Sequence, residues 1–485
     1  MRYDACVIGA GADGLAAATM LARAGLTVVV IDRGDRPGGQ CALREFHPGF
    51  RAAPFGDCMP AIPASIFRAL NLAKLGLMSA APQPSLALWP GREHWICPHR
   101  PSAARRLRQE TAQRIAAARS RAERDVEPRS RRPLFAASES RVPWLGEDLC
   151  TEALTARVSQ IEGPDAAAHL MGATLEGRAE DPRLRGSALQ LLARSAPALI
   201  LPGMAEALAA AAREAGVELR LGGEAAEIRQ AKGRVTALAL ADGSEIEARA
   251  VLSTFDLKRT FLTLFSWDAL PAAVVERVKA FRTAGATARL LLALDRLPSV
   301  SPETLRAAIH VAPDMQALAD SATAWRAHVV PENPAMTLRV VSAVSPGLAP
   351  PGKAVLTATL GCIPFRLFDG AWTNSHRERL RDATLAAIER VIPGTREATL
   401  AAELIVPSDI EDDLGATEGD LLGGELASDQ MFDMRPGFDT PAPRTPIKGL
   451  YLAGPSTPMG PLATCASGVI AAQAVIADLK GGNLG

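Results

Sequence analysis

Ala5-Cys6-Val7-Ile8-Gly9-Ala10-Gly11-Ala12-Asp13-Gly14 stands near the start of a chain of 485 residues, and the segment it opens runs to Gln40. A short apolar strand leads into the glycine triplet. Leu15 to Ala24 follow at helical spacing, rich in Ala and Leu, and stop at Gly25. Thr27-Val28-Val29-Val30-Ile31 then reads as a second strand that ends on Asp32. Strand, triplet, helix and terminal acid in this register make a dinucleotide-binding βαβ unit. Gly9 permits the tight turn, Gly11 lets backbone approach a pyrophosphate, and Gly14 lets helix pack closely on strand. Ala12 and Asp13 begin the helix, at the positive end where unpaired N–H groups receive a pyrophosphate. Asp32, eighteen residues after Gly14, is placed to accept hydrogen bonds from a ribose. A carboxylate there repels a 2′-phosphate, although Arg33 and Arg36 leave NADP open and NAD alone is a second alternative.

Composition narrows the class. A chain this long exceeds one ordinary core, so two domains are expected. Lys plus Arg equals Asp plus Glu, 53 each, which gives no global field favouring nucleic acid. Aromatics make up only 4%, with Tyr3 and Tyr451 the two tyrosines, which argues against an aromatic cage for an amine. Seven scattered cysteines form no C-x-x-C pair and no zinc spacing, so no metal is expected and a reducing, cytoplasmic setting fits. Cys41 follows a Gly-Gly pair as in flavin disulphide reductases, but Phe46 stands where their second cysteine would be. Cys41 therefore reads as a buried small hydrophobe. The Rossmann strand lies at the start of the chain, so no leader is expected before it.

Beyond residue 45 the signals thin out. Pro48-Gly49-Phe50 reads as a turn. Between Arg100 and Arg132, eleven arginines face four acids, a local +7 that reads as a solvated helical face or as a surface for anionic lipid or an acidic partner. Residues 189–212 read as a buried helix followed by a second one opening at Leu201-Pro202-Gly203-Met204. Gly216 to Leu221 reads as an edge strand leading to Ala225 and Ile228. Arg234–Leu240 and Ser244–Ala248 form a hairpin about Asp242-Gly243, and Val251-Leu252-Ser253 is a return strand into the nucleotide sheet. Ala288–Leu294, Thr337–Val344 and Ala354–Leu360 alternate as strands of a second, mostly antiparallel sheet. At the C-terminus, Gly449 to Gly454 reads as a strand, Pro455 to Pro461 as a loop, and Leu462 to Leu479 as an Ala-rich helix. Triad spacing and His/Glu metal motifs are absent. Of the histidines outside the nucleotide region, His99, His310 and His376 are the ones to watch, with structural roles favoured.

Arg33 through Arg36-Pro37-Gly38-Gly39-Gln40 resembles the second fingerprint of FAD-binding flavoproteins that include amine oxidases and phytoene desaturases, where backbone and a basic side chain run beside the FAD diphosphate. Together with Pro48-Gly49-Phe50, Leu201 to Ile228, and the run from Asp429-Gln430 through Arg435-Pro436 to Arg444-Thr445-Pro446-Ile447-Lys448-Gly449-Leu450-Tyr451, the chain resembles the phytoene dehydrogenase-like FAD oxidoreductases. Within them it is most similar to the pyridine nucleotide-disulphide oxidoreductase domain-containing branch. The resemblance implies a Rossmann-type α/β fold of the amine oxidase type with a second substrate domain. It divides the chain into a discontinuous FAD domain (1–70, 196–255 and 426–485) and a cap (71–195 and 256–425). It implies FAD held by Gly9, Gly11, Ala12, Asp13, Gly14, Asp32, Arg33, Gly38, Gly39, Gln40, Ala225, Ser253, Gly454, Gly460, Pro461 and Leu462. Of these, Ala225 would meet the adenine through its backbone and Gly454 to Leu462 would line the isoalloxazine. Three departures lie on the expected flavin and substrate face. Pro458-Met459-Gly460-Pro461 replaces His-Pro-Gly-Gly-Gly, Leu421-Leu422-Gly423-Gly424-Glu425 lacks a His, and Pro202-Gly203-Met204 replaces Pro-Gly-Gly.

The implied function is hydride transfer from an apolar small molecule to flavin, by dehydrogenation or isomerisation, with the catalytic side chains unassigned. Oxygen, a quinone or a partner protein would reoxidise it, because no second nucleotide motif is visible. An amine oxidase, or a flavin-bearing binding or assembly protein, are the alternatives. A cytoplasmic enzyme with a peripheral membrane contact through Arg100–Arg132, and a homodimer, complete the expectations.

Overall fold

A computed structural model describes residues 2–78, 84–89, 92–96, 181, 183, 197–199, 202–266, 268–311, 315–427, 429–430, 434–438, 442–460 and 463–482. The first of two large sheets grows around β1 (Tyr3–Ile8), whose last four residues are buried on both faces. It pairs in parallel with β2 (Val28–Asp32) on one side and with β12 (Glu245–Ser253) on the other. β9 (Glu218–Leu221) continues beyond β2, and β18 (Leu450–Leu452) adds to β12 in parallel. Continuous apolar runs rather than alternation mark such doubly covered strands. One cover is a layer of three Ala-rich helices, Ala12–Arg23, Met204–Glu214 and Ala466–Lys480. Alanine permits their close approach, and Ala16, Ala17, Ala18, Ala209, Ala211, Ala471 and Ala472 have no exposed surface. The other cover is the meander of β10 (Ala225–Ala231) and β11 (Arg234–Leu240), which packs Ile228, Val235 and Leu238 against Cys6, Ile8, Val29 and Ile31.

Four small strands lie between the large sheets. β3 (Arg44–His47) and β4 (Phe50–Ala52) form a hairpin over the Pro48-Gly49 turn. β5 (Cys58–Pro60) pairs with β8 (Pro197–Leu199). The second sheet has the order β17-β13-β16-β15-β14-β6-β7, with β6 (Ser85–Trp89), β7 (Arg92–Ile96), β13 (Ala288–Leu294), β14 (Ala308–Val311), β15 (Met336–Val340), β16 (Ala354–Leu360) and β17 (Thr399–Ile405). Only the β14–β6 pair is parallel. Its even-numbered face, with Leu290, Leu292, Leu356 and Ala358, packs on Leu380, Ala387 and Ile388 of the helix Asn374–Val391. The opposite face meets the nucleotide unit. There Leu291, Ala293 and Val355 contact Phe50, Ala52 and Phe55, and next to them Arg289, Thr337, Arg339, Thr357 and Thr359 are buried as polar residues.

Several sequence expectations need correction. Of the two helices expected within 189–212, the first does not extend through Pro197–Leu199, which is the strand β8, while the second runs from Met204 to Glu214. Proline lacks the N–H that a helix needs, and β5 supplies a strand partner instead. The hairpin strand and the return strand expected at 244–253 are one strand. Its first residues pair antiparallel with β11 and its last in parallel with β1. The strand expected at Thr337–Val344 stops at Val340 and turns into a short helix, Val341–Val344. The C-terminal helix begins at Ala466 rather than Leu462, because Cys465 before it is left-handed, with φ 67°. The basic stretch Arg100–Arg132 and His99 lie outside the described residues. Among the described residues no helix is long and apolar enough to cross a membrane, and no cluster of His, Cys, Asp and Glu is placed to hold a metal.

A buried cluster joins the two units: Asp57 pairs with Arg289 and lies 3.8 Å from Arg339 Nη1. Asp57 lies just after the β3–β4 hairpin. It accepts from Arg289 Nη2 at 2.6 Å and Nη1 at 3.0 Å, and from Thr357 Oγ1 at 2.7 Å, with the two charged side chains 0% and 2% exposed. Arg289 also donates to Thr359 and to the Ala53 carbonyl. Removing one partner leaves a buried charge without compensation, so Asp57→Ala should lower the unfolding free energy by about 3–5 kcal/mol. A urea midpoint unchanged from wild type would contradict this.

Candidate cofactor-binding site

The site is assembled from backbone, and glycines decide where backbone can go. A Cβ on Gly14 would lie 2.0 Å from the Gly9 carbonyl oxygen, and one on Gly9 would lie 2.1 Å from Thr254 Oγ1. These two glycines therefore serve packing. Gly11 differs: a Cβ there meets nothing within 4 Å, and its φ of −73° suits any residue. Gly11 caps the helix Ala12–Arg23 without any side-chain hydrogen bond, so the first-turn N–H groups open onto the space in front of it. That combination fits a diphosphate at a helix N-terminus.

Asp32 closes the turn. Its Oδ2 accepts from Ala10 N–H at 2.6 Å and its Oδ1 from Gly34 N–H at 2.8 Å. A carboxylate has about four acceptor positions, which leaves capacity for a ribose. The second fingerprint docks on the first. Gly38 N–H donates to the Ala10 carbonyl at 2.8 Å, and Gly38 bridges to Gly11. Gly38 has φ 124°, a conformation glycine adopts freely, and Gly39, Gln40 and Cys41 follow as a short 3₁₀ turn. Cys41 is buried, and desolvation pushes its thiol up to about 12, so it is an inert apolar filler. Gly223 N–H donates to the Asp32 carbonyl at 2.9 Å, which brings Ala225, at the start of β10, close behind it. Arg33 turns away and donates to the Asp412 carbonyl. Ser253 is fully buried, and its hydroxyl is engaged by Thr260 at 2.8 Å.

The C-terminal elements arrive at the same place. A Cβ on Gly454 would lie 2.6 Å from the Thr254 carbonyl oxygen, and one on Gly460 would lie 2.0 Å from the Gly454 carbonyl oxygen. Gly468 in the last helix approaches so closely that a Cβ would lie 1.9 Å from the Asp13 carbonyl oxygen. Gly9, Asp13, Gly454, Gly460 and Gly468 are thus linked in one chain of contacts, and the helices after Gly11 and Cys465 lie side by side. Pro461 and Leu462 lie outside the described residues.

Two residues that carry this arrangement escaped the sequence reading. Thr254 stands between Gly9 and Gly454, and both its N–H and its Oγ1 donate to the Ile8 carbonyl, at 3.0 and 2.8 Å. Its only signal was its place one residue after the return strand. Arg435, quoted above only within a resemblance, is 1% exposed and donates to the carbonyls of Leu422, Gly424, Gln430 and Pro455 at 2.6–3.0 Å. It fastens the altered Leu421–Glu425 segment to the Pro455 loop. Burial lowers its pKa to about 10, countered by Asp420. Ser456 completes the fastening, accepting from Leu257 N–H at 3.0 Å and donating to the Gly423 carbonyl at 2.7 Å. Of the histidines singled out, the two within the described residues have structural duties. His310 Nδ1 meets Thr337 Oγ1 at 3.1 Å, and His376 caps the helix Asn374–Val391 with Thr373.

The glycines separate folding from binding. Gly11→Ala should leave apoprotein stability within about 1 kcal/mol, the usual range for changing an N-cap glycine, while weakening FAD binding at least about tenfold by filling the diphosphate space. Gly14→Ala should instead lower stability by about 1–3 kcal/mol through overpacking. Thermal melts of the apoproteins and FAD titration by fluorescence quenching check both; wild-type affinity in Gly11→Ala would refute the assignment.

Comparisons with known proteins agree with this geometry. The family model described as FAD dependent oxidoreductase (DAO) matches residues 4–262. Pyridine nucleotide-disulfide oxidoreductase domain-containing protein 2 of Mus musculus is 26% identical over 550 residues, covering 99% of this chain and 94% of the relative. A 4,4'-diapolycopene oxygenase of Methylomonas sp is 26% identical over 283 residues, 57% of this chain and 54% of the relative. Among solved structures, a putrescine oxidase superposes with a TM-score of 0.65 at 16% identity, covering 99% of each chain. The cyclohexylamine oxidase of Brevibacterium oxydans IH-35A does so at 0.57 and 16%, covering 99% of this chain and 100% of that one. At such identities the superpositions speak for the fold alone. The chain belongs to the FAD dependent oxidoreductase family, and it is an oxidoreductase with FAD as its cofactor.

Proposed function

We propose that this protein is a phytoene dehydrogenase-like enzyme that dehydrogenates or isomerises an apolar small molecule, akin to the pyridine nucleotide-disulfide oxidoreductase domain-containing proteins. When bound, FAD supplies the two-electron acceptor. The residues that would hold it are those of the two glycine turns: the N–H groups of Ala12 and Asp13 for the diphosphate, and Asp32 for a ribose. Gly38 to Gln40 would run beside it, Ala225 would meet the adenine by its backbone, and Gly454 to Gly460 would support the ring. The two large sheets support reading 1–70, 196–255 and 426–485 as the FAD domain and 71–195 with 256–425 as the cap.

The observation that carries the choice of substrate is the occupation of both tyrosines. Tyr3 Oη donates to Glu218, and Tyr451 Oη donates to Asp478 at 2.7 Å beneath the last helix. Both rings are also buried, 6% and 2% exposed, and Arg220 lies over the Tyr3 ring, so neither presents a face to a cationic amino group. The name of the diapolycopene oxygenase relative points the same way, toward an apolar substrate. Oxygen, a quinone or a partner protein is the proposed electron acceptor, in a cytoplasmic enzyme with a peripheral membrane contact. The +7 balance of Arg100–Arg132 supports the membrane contact.

Anaerobic mixing of the FAD-loaded protein with phytoene in micelles, and separately with putrescine, tests the reading. Dehydrogenation of phytoene should bleach the flavin's visible band, and air or a quinone should restore it, whereas isomerisation should leave the band unbleached and yield an isomer of unchanged mass. Bleaching by putrescine with none by phytoene would overturn the apolar assignment in favour of amine oxidation.

A further inference from the structure

Asp13 is a carboxylate at the helix end that receives the cofactor's diphosphate. It occupies the first turn of Ala12–Arg23, and its Oδ1 accepts from Gly468 N–H at 3.2 Å. The Ser467 hydroxyl also donates to it, while Ser467 Oγ accepts from Gly454 N–H at 2.6 Å. One carboxylate thus connects the diphosphate helix, the last helix and, through Ser467, the glycine two residues beyond β18. The contact has no slack, since the Gly468 and Asp13 backbones already touch.

Other titratable groups nearby do not neutralise it. Cys41 faces it from the 3₁₀ turn and Cys465 from the start of the last helix, and burial raises both thiols far enough to keep them uncharged near neutral pH. Glu206, on the helix Met204–Glu214, adds further negative charge toward Cys41. Among the described residues no cation holds Asp13 ionised. Asp13 retains some accessible surface, yet enough protein crowds its carboxylate that desolvation lifts its pKa to about 6 against the two hydrogen bonds.

We propose that Asp13 is a positioning residue that takes up one proton from solvent when FAD binds, because the diphosphate brings like charge to the first helical turn that carries this carboxylate. The balance is simple: the ionised apoprotein, FAD and one proton give the complex with Asp13 as the neutral acid. No bond to FAD forms and no electron moves. A like charge brought to the same turn disfavours the ionised form, and proton and cofactor are therefore linked reciprocally. The neutral acid still accepts from Gly468 with its carbonyl oxygen, so the helices stay joined.

The sign follows from the apoprotein's pKa. Below it Asp13 is already protonated and affinity for FAD is independent of pH. Above it each unit of pH weakens the apparent affinity by up to about tenfold, until the pKa of the complex is reached.

This inference rests on the FAD assignment, and its test separates the two. FAD is titrated into stripped apoprotein across this range by fluorescence quenching. Calorimetry in two buffers of different ionisation enthalpy counts protons at a pH above about 6. The expected result is an uptake approaching one proton per FAD, with affinity falling as pH rises. Asp13→Asn should bind FAD with flat affinity and no uptake. Ser467→Ala, which removes a hydrogen bond to the ionised form, should move the onset of the fall to higher pH if Asp13 is the group responsible. Failure to bind FAD at any pH would overturn the cofactor assignment and this inference with it. Tight binding with no proton uptake in wild type, or an unchanged slope in Asp13→Asn, would overturn this inference alone. Should Asp13→Asn fail to fold, the wild-type proton count decides by itself.

Discussion

Three strand ends meet at Thr254, and the cofactor site exists because they come within backbone contact there. Gly9 ends β1, Gly454 follows β18, and Thr254 follows β12, which lies between those two strands in the sheet. Side chains at either glycine would collide with Thr254, so the strand ends would splay and the helices that follow would diverge. Parallel strands place all their C-terminal ends on one edge of a sheet, where open α/β folds form their binding crevices. Glycine at those ends brings segments more than four hundred residues apart into one wall. The Asp13–Gly468 contact is the same constraint one layer higher, between helices rather than strands.

Around that backbone frame the chain uses buried charge as a fastener. Arg435 satisfies loop carbonyls that have no strand or helix partner, and Arg289 with Asp57 ties the second sheet to the nucleotide unit. Arg444 and Tyr451 both converge on Asp478 and pin the last helix to β18. The Arg289–Asp57 fastener crosses 232 residues of sequence, whereas Arg435 ties loops within 20 residues of itself. A buried ion pair adds little net stability against a well-packed apolar alternative. It does penalise any arrangement that leaves one partner alone, which suits a fold whose two units must meet at a defined position.

The legible parts of this chain were those in which local pattern and fold agree. The βαβ unit, Ala288–Leu294 and Ala354–Leu360 could be read because buried strands and glycine turns have short-range signatures. The errors fell where tertiary partners overrode them. Pro197–Leu199 is too short to declare itself and is a strand because β5 lies beside it. Thr337–Val344 kept its alternation past the point where the backbone turned into a helix. Cys465, left-handed and non-glycine, delayed the last helix in a way that apolar spacing does not encode. Of the candidate site, the glycines and Asp32 were legible because their roles are backbone roles. Thr254 was not, since its importance lies in what would strike it, and Ser253 beside it was favoured although its hydroxyl is sealed by Thr260.

That division also explains why cofactor and substrate separate so cleanly across these flavoproteins. A site built from N–H groups, helix ends and close-packed glycines requires few side chains, and the fold itself superposes at a TM-score of 0.65 on a chain 16% identical. Side chains away from those backbone contacts are free to change without loosening the frame. Here the face that meets the nucleotide unit carries arginines and threonines engaged with Asp57. Those polar groups join the two units, so a substitution at any of them acts first on how the units meet.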